Sequence, residues 1–172
     1  MTPQRVGAVV AAAALAADQL SKNLLLYGFG FIGEGQVHRI EVLPFFDLVM
    51  VWNRGISYGL FPAEGPLGTI VLTAFSVFAA TLMSWLLTKA TDSLTASGWG
   101  LIIGGALGNA IDRILYGAVA DFFHFYAGGL DWYVFNIADA AITIGVIALL
   151  VDVFVRPEHT SKQPGREPVI RD

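Results

Sequence analysis

Among the polar residues in or beside the long apolar runs of this chain, eight could do chemistry together: Asp18, Lys22, Asn109, Asp112, Arg113, Asp121, Asn136 and Asp139. An ionisable group inside a membrane span is costly to insert, so it normally faces a protein interior or a watery cavity and marks a functional site. Asp18 and Lys22 lie at i, i+4; Asn109, Asp112 and Arg113 at i, i+3, i+4; Asn136 and Asp139 at i, i+3. Each set therefore shares one helix face. Such residues can act as polar glue between helices, and this structural role is as good a reading as a functional one for Asp18 with Lys22 and for Asp112 with Arg113. Asp121 and Asp139 differ, because neither has an Arg or Lys at i+1, i+3 or i+4. Carboxyl groups without local counter-ions are suited to sharing a proton with another acid, which is the chemistry of acid–base catalysis.

Other chemistries find less support. The chain has no cysteine, so thiol nucleophiles, disulfides and cysteine–zinc sites are excluded. His38, His124 and His159 show no paired ligand spacing, and no metal or other cofactor is expected. Ser21 and Lys22 are helix neighbours that point about 100° apart and cannot form a Ser–Lys dyad there. Ser57 with the distant Lys22 is a weaker alternative. Gly28-Phe29-Gly30-Phe31-Ile32-Gly33 matches G-x-G-x-x-G but follows a helix and has no βαβ pattern around it, so a dinucleotide site is rejected.

The elements that must position these residues are membrane spans. The 172 residues are 55% hydrophobic and 14% charged, with a mean hydropathy of +0.64. Four apolar stretches, Val6 to Tyr27, Leu67 to Leu87, Trp99 to Tyr116 and Trp132 to Val155, are each long enough to cross a bilayer. The expected fold is an all-α membrane protein of four transmembrane helices, residues 1–155, followed by a polar, proline-containing cytoplasmic tail, residues 156–172. Ala14-Leu15-Ala16 imitates a signal-peptidase site, but the helix continues through Leu24-Leu25-Leu26 and a retained span is preferred. Arg5, Lys89, Arg156, Lys162, Arg166 and Arg171 flank one side, against Arg39 and Arg54 on the other, which predicts both termini in the cytoplasm.

In that topology every polar set falls toward the outer end of its span, forming one layer near the outer membrane face. The outer segment, residues 28–66, contains a β-like run at Leu48 to Trp52 followed by Asn53 and Arg54, and predicts a small sheet at the membrane surface. Phe122 to Tyr126, Trp132 and Tyr133 read as an interfacial aromatic belt. The net charge of −4, without a basic block, argues against nucleic acid.

Five ordered segments carry a resemblance: Asp18-Gln19-Leu20-Ser21-Lys22, Asn53-Arg54-Gly55-Ile56-Ser57-Tyr58, Gly104 to Arg113, Val119-Ala120-Asp121-Phe122 and Phe135-Asn136-Ile137-Ala138-Asp139. Together they closely resemble the lipoprotein signal peptidase (signal peptidase II) family. The resemblance implies a bacterial inner-membrane aspartic endopeptidase with an extracytoplasmic β-cradle. It would cleave diacylglyceryl-modified prolipoproteins before the lipidated cysteine, act as a monomer among membrane lipids, and be sensitive to globomycin-like cyclic peptides. Asp121 and Asp139 would be the catalytic pair. Asn53, Asn109, Arg113 and Asn136 would support them or bind substrate, and Asp18, Lys22 and Asp112 would be structural. Ser57-Tyr58 departs from the family's more usual Ala followed by Phe or Trp, which bears on the substrate pocket.

Two other classes predict different features. A transporter needs polar residues through the whole membrane depth, whereas the cytoplasmic half here offers only Asp152. In a structural subunit, neutralising Asp121 or Asp139 would change stability or assembly without abolishing a reaction.

Overall fold

In the computed structural model, which describes residues 1–33, 36–55 and 65–155, a four-helix bundle carries an antiparallel sheet at one end. The helices are α1 (Pro3–Asn23), α2 (Gly65–Leu87), α3 (Ser93–Tyr116) and α4 (Ile137–Val155). Each is long and apolar enough to cross a membrane. The least apolar of them, α3, with a hydropathy of 1.2 against 2.1 for α2 and 2.2 for the α4 span, is also the most enclosed. It packs on all three others, whereas α2 packs on α3 and has no comparable contact with α1 or α4 among the described residues.

Small residues permit this close approach. A Cβ at Gly104 would meet the backbone of Ala11 and Leu15, and one at Gly105 would meet the Ala138 carbonyl and the Ile142 side chain. Lipid tails are as apolar as the helix surfaces, so packing of this kind, rather than water exclusion, holds a bundle together in a bilayer.

Local signals set the helix ends. The Thr2 hydroxyl accepts from the Arg5 N–H before Pro3 opens α1, and the helix closes in a π turn, Leu24–Gly28. Asp92 caps α3 by accepting from the Thr95 N–H at 3.0 Å. At its other end Gly117, with φ of 73°, supplies the left-handed C-cap. The third helix thus begins at Ser93, earlier than the apolar run from Trp99, because polar Ser93 and Thr95 belong to its capped first turn.

The sheet has strand order β1-β2-β3-β4, with β1 Arg39–Leu43, β2 Phe46–Asn53, β3 Val119–Ala127 and β4 Leu130–Asp131. The run at Leu48 to Trp52 lies within β2, as expected. Phe122 to Tyr126, read as an interfacial belt, is instead part of β3, a paired strand whose Phe122 is 1% exposed. Leu25 and Leu26 at the end of α1 pack with Phe31, Ala120 and Phe122 to seat the sheet on the bundle. At the sheet's far end, buried Asp47 pairs with Arg39 and, at 2.9 Å, with Nδ1 of His124.

Helix α4 corrects a further expectation. It starts at Ile137 rather than Trp132. Phe135 is held in extended conformation by reciprocal backbone bonds with Phe123, its N–H donating at 3.1 Å and its carbonyl accepting at 2.9 Å. Asp139 therefore stands in the first turn of its helix, not part-way along it.

Candidate active site

Asp121 is the third residue of β3, opposite Val51, and Asn53 is opposite Val119. This register makes Asp121 and Asn53 diagonal neighbours on one face. The Asn53 amide donates to Asp121 Oδ2 at 3.1 Å and to the Tyr133 hydroxyl at 3.2 Å, using both of its hydrogens. The Asn53 carbonyl accepts from the Gly55 N–H at 3.0 Å, which fixes the amide's orientation.

Asp139 is fixed by its helix. The Asn136 side-chain oxygen accepts from the Asp139 N–H at 2.9 Å, and an Asp139 carboxylate oxygen accepts from the Asn136 N–H at 3.4 Å. This is a capping box with a carboxylate at the third helical position. The motif Asn136-Ile137-Ala138-Asp139 thus starts the helix and aims Asp139 by the same two bonds.

The Asn136 amide nitrogen then reaches across to β3, donating to Asp121 Oδ1 at 2.6 Å and to Asn109 Oδ1 at 3.2 Å. Asn109 in turn donates to Asp139 Oδ1 at 2.9 Å. The two carboxylates are consequently joined through a short relay of asparagine amides. Burial, followed by the nearby charge of Asp139, pushes the Asp121 carboxyl up to about 7, against the opposing hydrogen bonds from Asn53 and Asn136.

Arg113 reaches away from Asp112. Its guanidinium donates to the Gly55 carbonyl at 3.2 Å and to the Asn109 carbonyl at 3.4 Å. With Asn53, Asn109 and Asp139 it lines a cavity of about 310 Å³, walled on the α2 side by Leu72, Phe75 and Ser76. A second cavity of about 380 Å³ lies on the other flank of Asp139, between α4 and Trp132, Tyr133 and Phe135. The polar layer expected from the sequence is thus one continuous site for Asn53, Asn109, Arg113, Asp121, Asn136 and Asp139. No group of three or more His, Cys, Asp or Glu side chains among the described residues could hold a metal ion. Ser57 and Tyr58 lie outside the described residues.

The expected pairing of Asp112 with Arg113 does not form. Lys22 instead bridges Asp18 and Asp112, with 2.8 Å to a carboxylate oxygen of each. Adjacent residues on a helix diverge, so Asp112 turns to α1 while Arg113 turns to the cavity. Two participants escaped the sequence reading. Tyr133 has the character of an interfacial anchor, and Gln19 sits inside the Asp18–Lys22 segment but shows no charge or spacing that would single it out.

These features define a membrane protein with a buried polar site built around two carboxylates and their amide partners. Comparison gives the family. Residues 10–155 match the model described as signal peptidase (SPase) II. The lipoprotein signal peptidase of Rhodopseudomonas palustris is 51% identical over 159 residues, covering 90% of this chain and 95% of that one. That of Nitrobacter hamburgensis is 52% identical over 160 residues, covering 91% and 96%. A bacterial membrane enzyme solved in meso at 1.9 Å superposes with a TM-score of 0.72 at 25% identity, covering 88% of this chain and 94% of that one. Another, at 2.3 Å, shares the fold with a TM-score of 0.74 at 24% identity, covering 94% and 93%. This chain belongs to the signal peptidase II family.

Proposed function

We propose that this chain removes signal peptides from diacylglyceryl-modified prolipoproteins, cleaving before the lipidated cysteine with Asp121 and Asp139 as the acid–base pair. The observation that carries the reading is the amide relay that ties one buried carboxylate to the other through Asn136 and Asn109. Two nearby carboxyls share one proton at neutral pH, because both cannot ionise cheaply. The ionised member takes a proton from water as its oxygen attacks the scissile carbonyl. The protonated member hydrogen-bonds the developing oxyanion. Collapse of the tetrahedral intermediate breaks the C–N bond, the departing amine takes a proton from the pair, and a free carboxylate and amine result. The two acids titrate as a unit, so their roles are interchangeable in this account.

Arg113 and Asn53 border the cavity and are suited to holding the substrate's backbone, while the apolar walls on both flanks of Asp139 suit acyl chains or a hydrophobic signal segment. In the bacterial membrane the active end faces outward, with both termini cytoplasmic, as the Lys and Arg distribution favours. The enzyme acts as a monomer, and globomycin-like cyclic peptides block the same cavity.

The test is incubation of the purified enzyme with a lipid-modified prolipoprotein and, separately, with its unmodified precursor. Cleavage of the modified form far faster than of the unmodified form is expected. Equal rates would mean that the lipid is not recognised.

A further inference from the structure

Asp18, Lys22 and Asp112 are almost completely enclosed, at 0%, 2% and 1% exposure. One ammonium between two carboxylates leaves a net negative charge inside the bundle, an arrangement that is costly unless every remaining lone pair is satisfied. The partners that satisfy it are unusual in where they lie. Asp112 Oδ2 accepts from the Ala120 N–H at 3.1 Å, and Asp18 Oδ1 accepts from the Ala138 N–H at 2.9 Å. Ala120 immediately precedes Asp121, and Ala138 immediately precedes Asp139. The Gln19 amide nitrogen joins the two halves, lying 3.1 Å from Asp18 Oδ2, 3.2 Å from Asp112 Oδ1 and 3.3 Å from the Gly108 carbonyl.

We propose that Gln19, with Asp18, Lys22 and Asp112, is a buried clamp that sets the separation of the two active-site carboxylates by holding the peptide N–H before each of them. The inference rests on the reading of Asp121 and Asp139 as the reacting pair.

Simple helix–helix glue explains less. A lock between α1 and α3 needs only the Lys22 bridge, yet the carboxylates reach on to β3 and α4. The Ala138 N–H, in the first turn of α4, has no partner within its own helix, and Asp18 supplies one. The Lys22 ammonium also lies 3.4 Å from Asn109 Oδ1, on the residue that donates to Asp139. A Cβ at Gly108 would run into the Asp18 carboxylate, so the absent side chain there is part of the clamp. The two acids come from different elements, β3 and α4, with no direct backbone bond joining Asp121 to Asp139; the clamp is the path through which α1 and α3 fix both.

Gln19→Leu is the decisive variant, because it changes no charge and replaces a side chain that is only half buried. In the full-length enzyme, kcat on the lipid-modified precursor should fall about a hundredfold, as expected for a shift of about 1 Å at the reacting groups, with KM unchanged. The alkaline limb of the pH profile should move to lower pH, because carboxylates relaxing apart repel less. Asp112→Asn keeps an oxygen for the Ala120 N–H, whereas Asp112→Leu does not; the Asn variant should retain at least about tenfold more kcat. A lowered unfolding midpoint with kcat and pH limb unchanged in Gln19→Leu would reduce the cluster to glue and overturn the proposal. Asp121→Asn and Asp139→Asn run alongside. Cleavage by either would sink the underlying reading of the pair, while inactivity in both with full kcat in Gln19→Leu would sink the clamp alone.

Discussion

Asp121→Asn and Asp139→Asn should each abolish cleavage while the protein still inserts in the membrane, since Asn keeps the shape but cannot take a proton from water. The double variant should be little worse than either single one, because losing one member disables the unit. Asp131→Asn, at the exposed edge of the sheet, should remain active; assays of the purified variants on one lipid-modified precursor decide all four. The Asp121 carboxyl, pushed up to about 7, also sets an expectation for pH. A pair needing one proton loses activity as that proton leaves, so kcat/KM should decline as pH rises through about 7. Asn53 donates to Asp121 and favours its charged form, so Asn53→Ala should move that limb to higher pH. A limb that stays fixed would remove Asn53 from control of the pair. Asn136 and Asp139 were legible as a pair from their i, i+3 spacing, but that spacing suggested one helix face, whereas Asn136 stands just before α4 and caps it. The Lys22 bridge to Asp112 was not legible, because it joins two helices whose approach no spacing encodes.

Helix α3 carries the packing that the site depends on. Gly105→Val would drive two methyl groups toward the Ala138 carbonyl and Ile142, prying α4 away just where its first turn holds Asp139. Overpacking of this kind costs about 1–3 kcal/mol, so a lower unfolding midpoint in detergent and a reduced kcat are expected together. Unchanged values for both would mean that α4 can shift without disturbing Asp139. Four apolar stretches revealed four helices because a bilayer demands long uninterrupted runs. The same hydropathy hid β3 and the start of α4. Phe122 to Tyr126 are mostly aromatic and Trp132 to Phe135 run on into an apolar stretch, yet both form extended structure because their backbone groups bond to β2 and to each other. The Gly117 turn before β3 and the Gly128-Gly129 turn after it are the only local punctuation that could have suggested a strand there.

At the scale of the whole molecule, charge distribution predicts which way the bundle stands. Reporter fusions between Asn23 and Gln36 and at Gly128 should read outside, and fusions near Thr91 and after Arg156 inside. A tail reading outside would invert the molecule and put the sheet in the cytoplasm. The cavities on either side of Asp139 have rims formed by the exposed Phe75 of α2 and Ile144 of α4, and α2 leans on α3 without a comparable contact to α4. If the substrates are themselves anchored in lipid, as proposed, cavities bordered by exposed side chains of membrane-spanning helices change what concentration means. Encounters take place in two dimensions, so the rate should follow the number of substrate molecules per unit of membrane area. Adding empty detergent micelles or lipid at constant total substrate should then slow cleavage, as dilution slows a reaction in solution.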